Sequence, residues 1–425
     1  MLIYGAGLDD AEAVRTYWHE HLEGQVLSLG EVFPDVTPSV AYTHTAEQLW
    51  EKVRHEAKLR GYFAIQGLDL FSIIEADVRL LTLDLMPQLV ALAERAPRAL
   101  VDVHGGVILM GGTQGKHRVI AKAAHAAGVP VVTMHYGGPY GYTDCPMTEY
   151  YDLADVDYFL CYGEGTARYL EQPSPAAYVR PGSRRAKLVA VGSPALDKVV
   201  ARQRQCAGKT VDNDKLAYGE QELLAATTER AREVMYVIGA MIGDLRYFSY
   251  NLCPDIWYWR LHREVVKTCI CFPNVRLIVK PPLKGRIPEV PNPLSEWILK
   301  NGVRNCELLH DVPFEEVLHL ADAYITDCPS TVLLQAMTTM KPVIVYLDRT
   351  LYRLDRHAMT LLRKRATVSE TREEFLQDIA DFLHRPDWTL PRPVNDEFLC
   401  AYGTYLNDGR SAERAAQLLM DLAKQ

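Results

Sequence analysis

The sequence has no excess of basic residues. Its 46 Lys and Arg stand against 54 Asp and Glu, for a net charge of −8. A general nucleic-acid binder normally carries a basic face, so the balance argues against that class. A local basic stretch, RPGSRRAK at 180–187, reads as a solvated loop. Nine cysteines are present, but none forms a C-x-x-C pair, and Cys269 and Cys271 make only C-x-C inside an apolar run. This leaves no zinc pattern and no disulfide framework, and points to reduced thiols in a cytoplasmic protein. No run of 18 apolar residues occurs, so no spanning helix is expected. The opening MLIYGAGLDD lacks a basic region followed by an apolar stretch, so no signal peptide is expected.

Two phosphate-binding patterns are also missing. GAGLDD lacks the last glycine of a dinucleotide fingerprint. GGTQGKH at Gly111–His117 fails as a P-loop, because Met110 stands where the first glycine belongs and His117 replaces Ser or Thr. Asp155 and Asp157 have the D-x-D spacing of metal-dependent sugar transferases, but they precede a strand within a repeating pattern, and no metal is expected.

What the chain does have is alternation. Apolar strand-like runs follow helix-like stretches throughout both halves, which predicts parallel sheets covered by helices on both faces. In the first half the expected strands are LIYGAG, YFAIQG, RALVDVHGG, PVVTMHYGG, DYFLCYG and LVAVGSP, with helices at 45–60, 86–95 and 116–127. In the second they are EVMYVIGAM, NVRLIVKPP, NCELLHD, AYITDCPST and PVIVYLD. The 425 residues are too many for one small core. The expected fold class is therefore α/β, with two Rossmann-like doubly wound domains facing across a cleft. The first spans 1–200, a polar linker 201–232, the second 233–400, and a C-terminal helical segment 401–425. Ligands of such sheets sit at the carboxyl ends of strands.

The most informative stretch is Tyr324–Tyr346, YITDCPSTVLLQAMTTMKPVIVY: strand, polar turn, helix, strand. Ser330 and Thr331 offer hydroxyls at a helix start, where unpaired N–H groups favour phosphate. Gln335 follows one helical turn later, in reach of a sugar hydroxyl, and Asp327 opens the turn. An ordinary βαβ unit with a Ser/Thr cap would look the same.

Other candidates also follow strands. His135 precedes YGGPYGY, where Gly137, Gly138 and Tyr140 allow close approach of a ligand, and a histidine there can act as a base or a donor. Asp144 and Glu149 follow this loop and could orient His135 or act as base. Asp244 and Arg246 in IGDLRYF could serve proton transfer and phosphate binding, respectively. Lys280 ends VRLIVK, with Lys284 and Arg286 beyond it, a cationic set suited to a phosphate.

In combination, these segments resemble bacterial surface-polysaccharide glycosyltransferases of the GT-B architecture (capsule or lipopolysaccharide type) and the related CDP-glycerol glycerophosphotransferases. TDCPSTVLLQAMTTMKPVIVY is similar to their donor-site block, with Ser330 and Thr331 at the turn and Lys341-Pro342 at the strand entry. Gln335 stands where many relatives carry Glu. HYGGPYGY resembles their histidine-glycine segment, which implies that His135 lines the active site. VGSPALD at 191–197 is similar to the motif closing their first domain. RLIVKPPLKGR resembles a K-P-H-P segment with Pro282 in place of histidine. LNDGRSAERAAQLL resembles the closing helix, which in such proteins packs back on the first domain.

The resemblance implies a metal-independent transferase with no cofactor. It would move a sugar from a nucleotide-sugar donor to a surface glycan or lipid-linked glycan, in the cytoplasm or at the inner face of the membrane as a peripheral protein. His135, Asp144 and Asp244 are then the catalytic candidates. Arg246, Lys280, Asp327, Ser330, Thr331 and Gln335 are the donor-binding set, and Gly137, Gly138 and Tyr140 form the acceptor-side loop. Transfer of a polyol phosphate from a CDP-linked donor, sugar-nucleotide epimerisation, and a non-catalytic glycan-binding module remain open alternatives.

Overall fold

The computed structural model describes residues 1–5, 9–66, 68–101, 103, 105–112, 115–135, 137, 140–144, 148–172, 185–208, 231–239, 241, 254–283, 293–388 and 396–425. Gly138, Asp244, Arg246, Lys284 and Arg286 lie outside these residues.

Two parallel six-stranded sheets, each flanked by helices, form two lobes. The first contains β1 (Leu2–Tyr4), β2 (Val26–Ser28), β5 (Val107–Met110), β6 (Val131–Met134), β7 (Tyr158–Cys161) and β8 (Lys187–Ala190), in the order β2-β1-β5-β6-β7-β8. A small antiparallel hairpin, β3 (Ala64–Ile65) and β4 (Leu68–Asp69), stands apart from it. The second lobe contains β9 (Arg232–Val237), β10 (Val275–Lys280), β11 (Cys306–Leu308), β12 (Ala323–Thr326), β13 (Val343–Tyr346) and β14 (Thr367–Ser369), in the order β11-β10-β9-β12-β13-β14. That is the doubly wound order. It places a switch point between β9 and β12, where successive loops leave toward opposite faces and open a crevice. The corresponding switch in the first lobe lies between β1 and β5. The strands VILM, VVTM, AYIT and VIVY are buried at every position, as sheets covered on both faces require.

Two expected strands differ. Arg98 and Ala99 of RALVDVHGG end the helix Met86–Ala99, which runs through Pro97, and the strand begins only at Val107. Leu100 is buried against the core while Val101 is 65% exposed, so the apolar run ends a helix face. YFAIQG supplies only β3 of the hairpin, at the edge of the lobe. The stretch expected as one helix at 45–60 is two, Val40–Val53 and Ala57–Tyr62.

One apolar core joins the lobes. Tyr142, Tyr162, Leu196 and Val199 of the first lobe pack in a single cluster with Val237, Leu333 and Leu334 of the second and with Phe398, Leu399 and Tyr402. The helix Ser411–Ala423 then lies on the first lobe, its Ala415, Ala416, Leu419 and Leu422 packed with residues of β1, β5, β6 and β7.

Candidate functional site

At the switch point of the second lobe, β9 exits at Ile238-Gly239 and β12 at Asp327. Asp327 is 2% exposed and accepts hydrogen bonds from Gly239 N (2.7 Å) and Tyr236 Oη (2.9 Å). Its Oδ2 also lies 2.9 Å from His262 Nε2, on the helix Asp255–Ile270. Three protein groups therefore engage the carboxylate that was expected to touch a donor. The structure places Asp327 beneath the turn, tying the ends of the two strands together.

The turn above it leads to the helix Thr331–Met337, fixed by buried Leu333, Leu334, Ala336 and Met337. Ser330 is extended (φ −106°, ψ −177°), and its side chain caps no helical N–H. Its hydroxyl lies beside the Cys328 thiol. Ser330, Thr331 and Gln335 are all half-buried, with Gln335 one turn from Thr331 on the same side. The helix is only seven residues long, so its dipole is a weaker phosphate anchor than the sequence implied.

Lys280 ends β10, the neighbour of β9, and its carbonyl accepts from Ile238 N (3.2 Å). The side chain is buried, and its Nζ donates to Pro281 O at 2.6 Å. No carboxylate lies within ion-pair distance among the described residues. Burial holds the ammonium below its ordinary pKa, while Asp311 and Glu315 partly offset the shift. A buried lysine lacking a counter-ion suits an anionic ligand.

In the first lobe, His135 continues the line of β6, donating its backbone N–H to Leu160 O at 2.9 Å. It is 1% exposed, stacked on Tyr162 (3.9 Å between centroids, 26°) and met edge-on by Tyr140 (6.2 Å, 87°). Neither ring nitrogen has a hydrogen-bond partner among the described residues. Burial lowers its pKa to about 3, so the ring is neutral, and the nearby Gly137 backbone opposes the shift only in part.

The stacking platform is itself fixed. The Tyr162 hydroxyl donates to Asp10, which also accepts from Ser193 Oγ (2.7 Å) and Ala195 N (2.8 Å). Burial pushes the Asp10 carboxyl above its ordinary pKa despite these donors. Sequence reasoning missed Asp10 and Tyr162. The available signals were an acidic residue opening the first helix after GAGL and a serine within VGSPALD.

The two strand-end loops meet across the lobes. Gly137 has φ +93°, and a Cβ there would lie 2.4 Å from Thr331 Oγ1, so the backbone approach requires glycine. Further along, Asp355 N donates to Tyr142 O (2.8 Å), Asp144 N donates to Arg353 O (3.0 Å), and Thr143 forms an antiparallel bridge with Leu354. Tyr142 is wedged against Phe398 and Tyr402 at 5.5 and 5.4 Å. The loop bearing His135, Gly137, Tyr140 and Asp144 is thus seated on the second lobe beside the Ser330-Thr331 turn. Asp144 itself is exposed.

Several sequence candidates have structural partners. Asp155 lies 3.1 Å from Lys122 Nζ and 3.7 Å from Arg118 Nε. Asp157 accepts from Val131 N (2.9 Å) and lies 3.1 Å from His125 Nε2, at the amino end of β6, the edge opposite to His135. Glu149 pairs with Arg185 through two hydrogen bonds of 3.1 and 2.9 Å. In VGSPALD, Asp197 accepts from Ser411 N (2.8 Å), capping the start of the C-terminal helix. Lys341 donates to the carbonyls of His319 and Ala321.

No protein-family model matches the chain, and no curated protein matches its sequence. Among solved structures, the chain is similar to the UDP-GlcNAc 2-epimerase from Neisseria meningitidis bound to UDP-GlcNAc, at 11% identity over 99% of each chain with a TM-score of 0.48. It is also similar to the UDP-GlcNAc 2-epimerase from Methanocaldococcus jannaschii, at 11% identity over 99% of each chain with a TM-score of 0.48. A third is the pneumococcal O-GlcNAc transferase GtfA in complex with UDP and GlcNAc, at 10% identity over 79% of this chain and 60% of that one, with a TM-score of 0.44. At this level the likenesses assign neither a substrate nor a residue role to this chain.

Proposed function

We propose that the chain is an enzyme of nucleotide-linked sugars, with its site where the carboxyl ends of the two sheets face each other, and that it transfers the sugar to a hydroxyl acceptor. The observation that carries this reading is the seating of the His135 loop on Thr331 through Gly137. It brings a buried imidazole and a hydroxyl-bearing turn to one seam, next to the switch point that Asp327 ties together.

In this scheme Lys280 and the hydroxyls of Ser330 and Thr331 bind the donor's phosphates, and Gln335 meets its ribose. When the bond from the anomeric carbon to the phosphate oxygen breaks, the electron pair stays on the phosphate. A nearby ammonium stabilises that charge more in the transition state than before it. His135, neutral and stacked, orients the sugar or acceptor by hydrogen bonding. The acceptor expected from the sequence is a growing surface glycan.

The test is a binding and product assay with UDP, CDP, CMP and GDP and their sugar conjugates. A nucleotide at 100 times its Kd adds about 2.7 kcal/mol of stability, visible as a rise in Tm. A new glycosidic bond supports transfer, and a new phosphodiester supports polyol-phosphate transfer instead. Isomerisation of the donor without an acceptor supports epimerisation. No binding by any of the four nucleotides overturns the reading.

A further inference from the structure

One buried carboxyl in the first lobe has no partner among the described residues. The deeply buried carboxylates among the described residues are Asp10, Glu149, Asp152, Asp155, Asp197 and Asp327. Five of them are met by hydrogen-bond donors or cations: Asp10 by Ser193, Glu149 by Arg185, Asp155 by Lys122, Asp197 by Ser411 N and Asp327 by Gly239 N. Asp152 is 2% exposed, and no hydrogen bond or ion pair reaches its carboxyl among the described residues. Burying such a group in its charged form costs several kcal/mol.

Its position is nevertheless well defined. Asp152 lies in a single turn of π-helix, Glu149–Leu153, a geometry that recurs at functional sites. Its carbonyl accepts from Thr133 Oγ1 at 2.7 Å, and Thr133 is two residues before His135 on β6. Its Oδ1 lies 3.3 Å from where a Cβ on Gly112 would be, and Gly112 (φ +144°) follows β5 beside the first lobe's switch point. The surrounding ionisable groups are occupied or held elsewhere. Glu149 is taken by Arg185, Asp155 by Lys122 and Arg118, and the His117 ring rests on the Gly112 backbone next to Lys116. No described residue pairs with the carboxyl at 152, and a group buried at such cost is characteristic of proton chemistry.

We propose that Asp152 carries the proton in the reaction of the interlobe site. The acceptor hydroxyl gives its proton to the Asp152 carboxylate while its oxygen bonds to the anomeric carbon. The bond from that carbon to the donor phosphate breaks in the same step, and the phosphate keeps the electron pair. The assignment rests on the reading of the site given above. It also gives His135 a coherent place, since an imidazole held at about pKa 3 keeps a proton poorly near neutrality and serves better as a hydrogen-bonding group.

The experiment compares wild type with Asp152→Asn in three readouts: Tm from pH 4 to 8, the Tm shift given by the nucleotide that binds wild type, and turnover. Burial raises the Asp152 pKa in the folded state, so wild type carries a penalty that is absent below the unfolded carboxyl range and grows as pH rises. The variant is expected to melt above wild type at pH 8, with the difference shrinking toward pH 4. Its nucleotide shift should be unchanged and its turnover about 100-fold lower or worse. Turnover near the wild-type value, or a variant less stable than wild type at every pH (failure to fold included), overturns the proposal. Wild type that binds no nucleotide overturns the reading of the site as well. Normal binding with undiminished turnover overturns the role of Asp152 alone.

Discussion

Gly137 and Thr331, 194 positions apart, are in contact so close that no Cβ fits between them: one placed on Gly137 would lie 2.4 Å from Thr331 Oγ1, and the glycine's φ is +93°. Gly137→Ala therefore meets both a clash with the second lobe and an unfavourable backbone. The expected loss is about 1 to 3 kcal/mol, measured by urea denaturation. Adding Thr331→Gly should restore the steric part and leave the backbone part, about 1 kcal/mol. A double variant no better than the single one would show that the loops do not press on each other.

Asp327, at the switch point, and Lys280, at the end of the neighbouring β10, are both buried but should respond in opposite ways. Asp327→Ala leaves Gly239 N and Tyr236 Oη without their acceptor, and should cost about 3 to 5 kcal/mol in chemical denaturation. Lys280→Met removes a buried cation and should keep or raise stability near neutral pH. The sign follows from the lysine's lowered pKa. The penalty is absent above 10.5, its ordinary value, and grows as pH falls from there toward the folded value. A Tm for Lys280→Met far below wild type at pH 7 would mean that the ammonium is a structural donor.

His135 sets a second pH dependence. Its pKa falls from 6.5 to about 3 on folding, so its contribution to stability is complete above 6.5 and is lost as pH drops through that window. The slope is about 1.4 kcal/mol per pH unit for one group. His135→Phe keeps an aromatic ring on Tyr162 and removes the slope. The difference in unfolding free energy between variant and wild type should move in the variant's favour from pH 7 to pH 4. A constant difference across that range contradicts a neutral, desolvated ring.

The C-terminal helix is anchored at its start by Asp197, which accepts from Ser411 N at 2.8 Å. Asp197→Ala should cost about 1 to 2 kcal/mol, as loss of a helix cap does, with no change in nucleotide affinity. A measurable loss of affinity would place VGSPALD in the site rather than at the junction.

Patterns that repeat along the chain were legible in the sequence. The apolar runs PVVTM, AYIT and PVIVY, the glycines after the first of them and the strand-turn-helix at 323–337 pointed to the parallel sheets and the loops at their carboxyl ends. Partnership was not legible. Asp155 and Asp157 have metal-ligand spacing, but Lys122, Arg118, His125 and a backbone N–H occupy them at the opposite edge of the sheet. Asp327 is expected at the donor, and its carboxylate meets Tyr236, Gly239 and His262, which come from distant positions. Asp10 sits in GAGLDD, which fails as a dinucleotide fingerprint, and Asp152 lies in no motif, so neither stood out. Only tertiary packing distinguishes a carboxyl with three donors from one with none among the described residues. RALVDVHGG misled because the end of a buried helix face is as apolar as a strand of the same length.

Calorimetric titration of wild type and Lys280→Met with UDP, CDP, CMP and GDP decides whether a nucleotide-sugar site lies at the meeting of the two sheets' carboxyl ends. One nucleotide should bind wild type saturably and bind the folded variant at least about tenfold more weakly, the loss of one charge-assisted contact. Equal affinity in the two proteins, or no binding of any of the four to wild type, would contradict it.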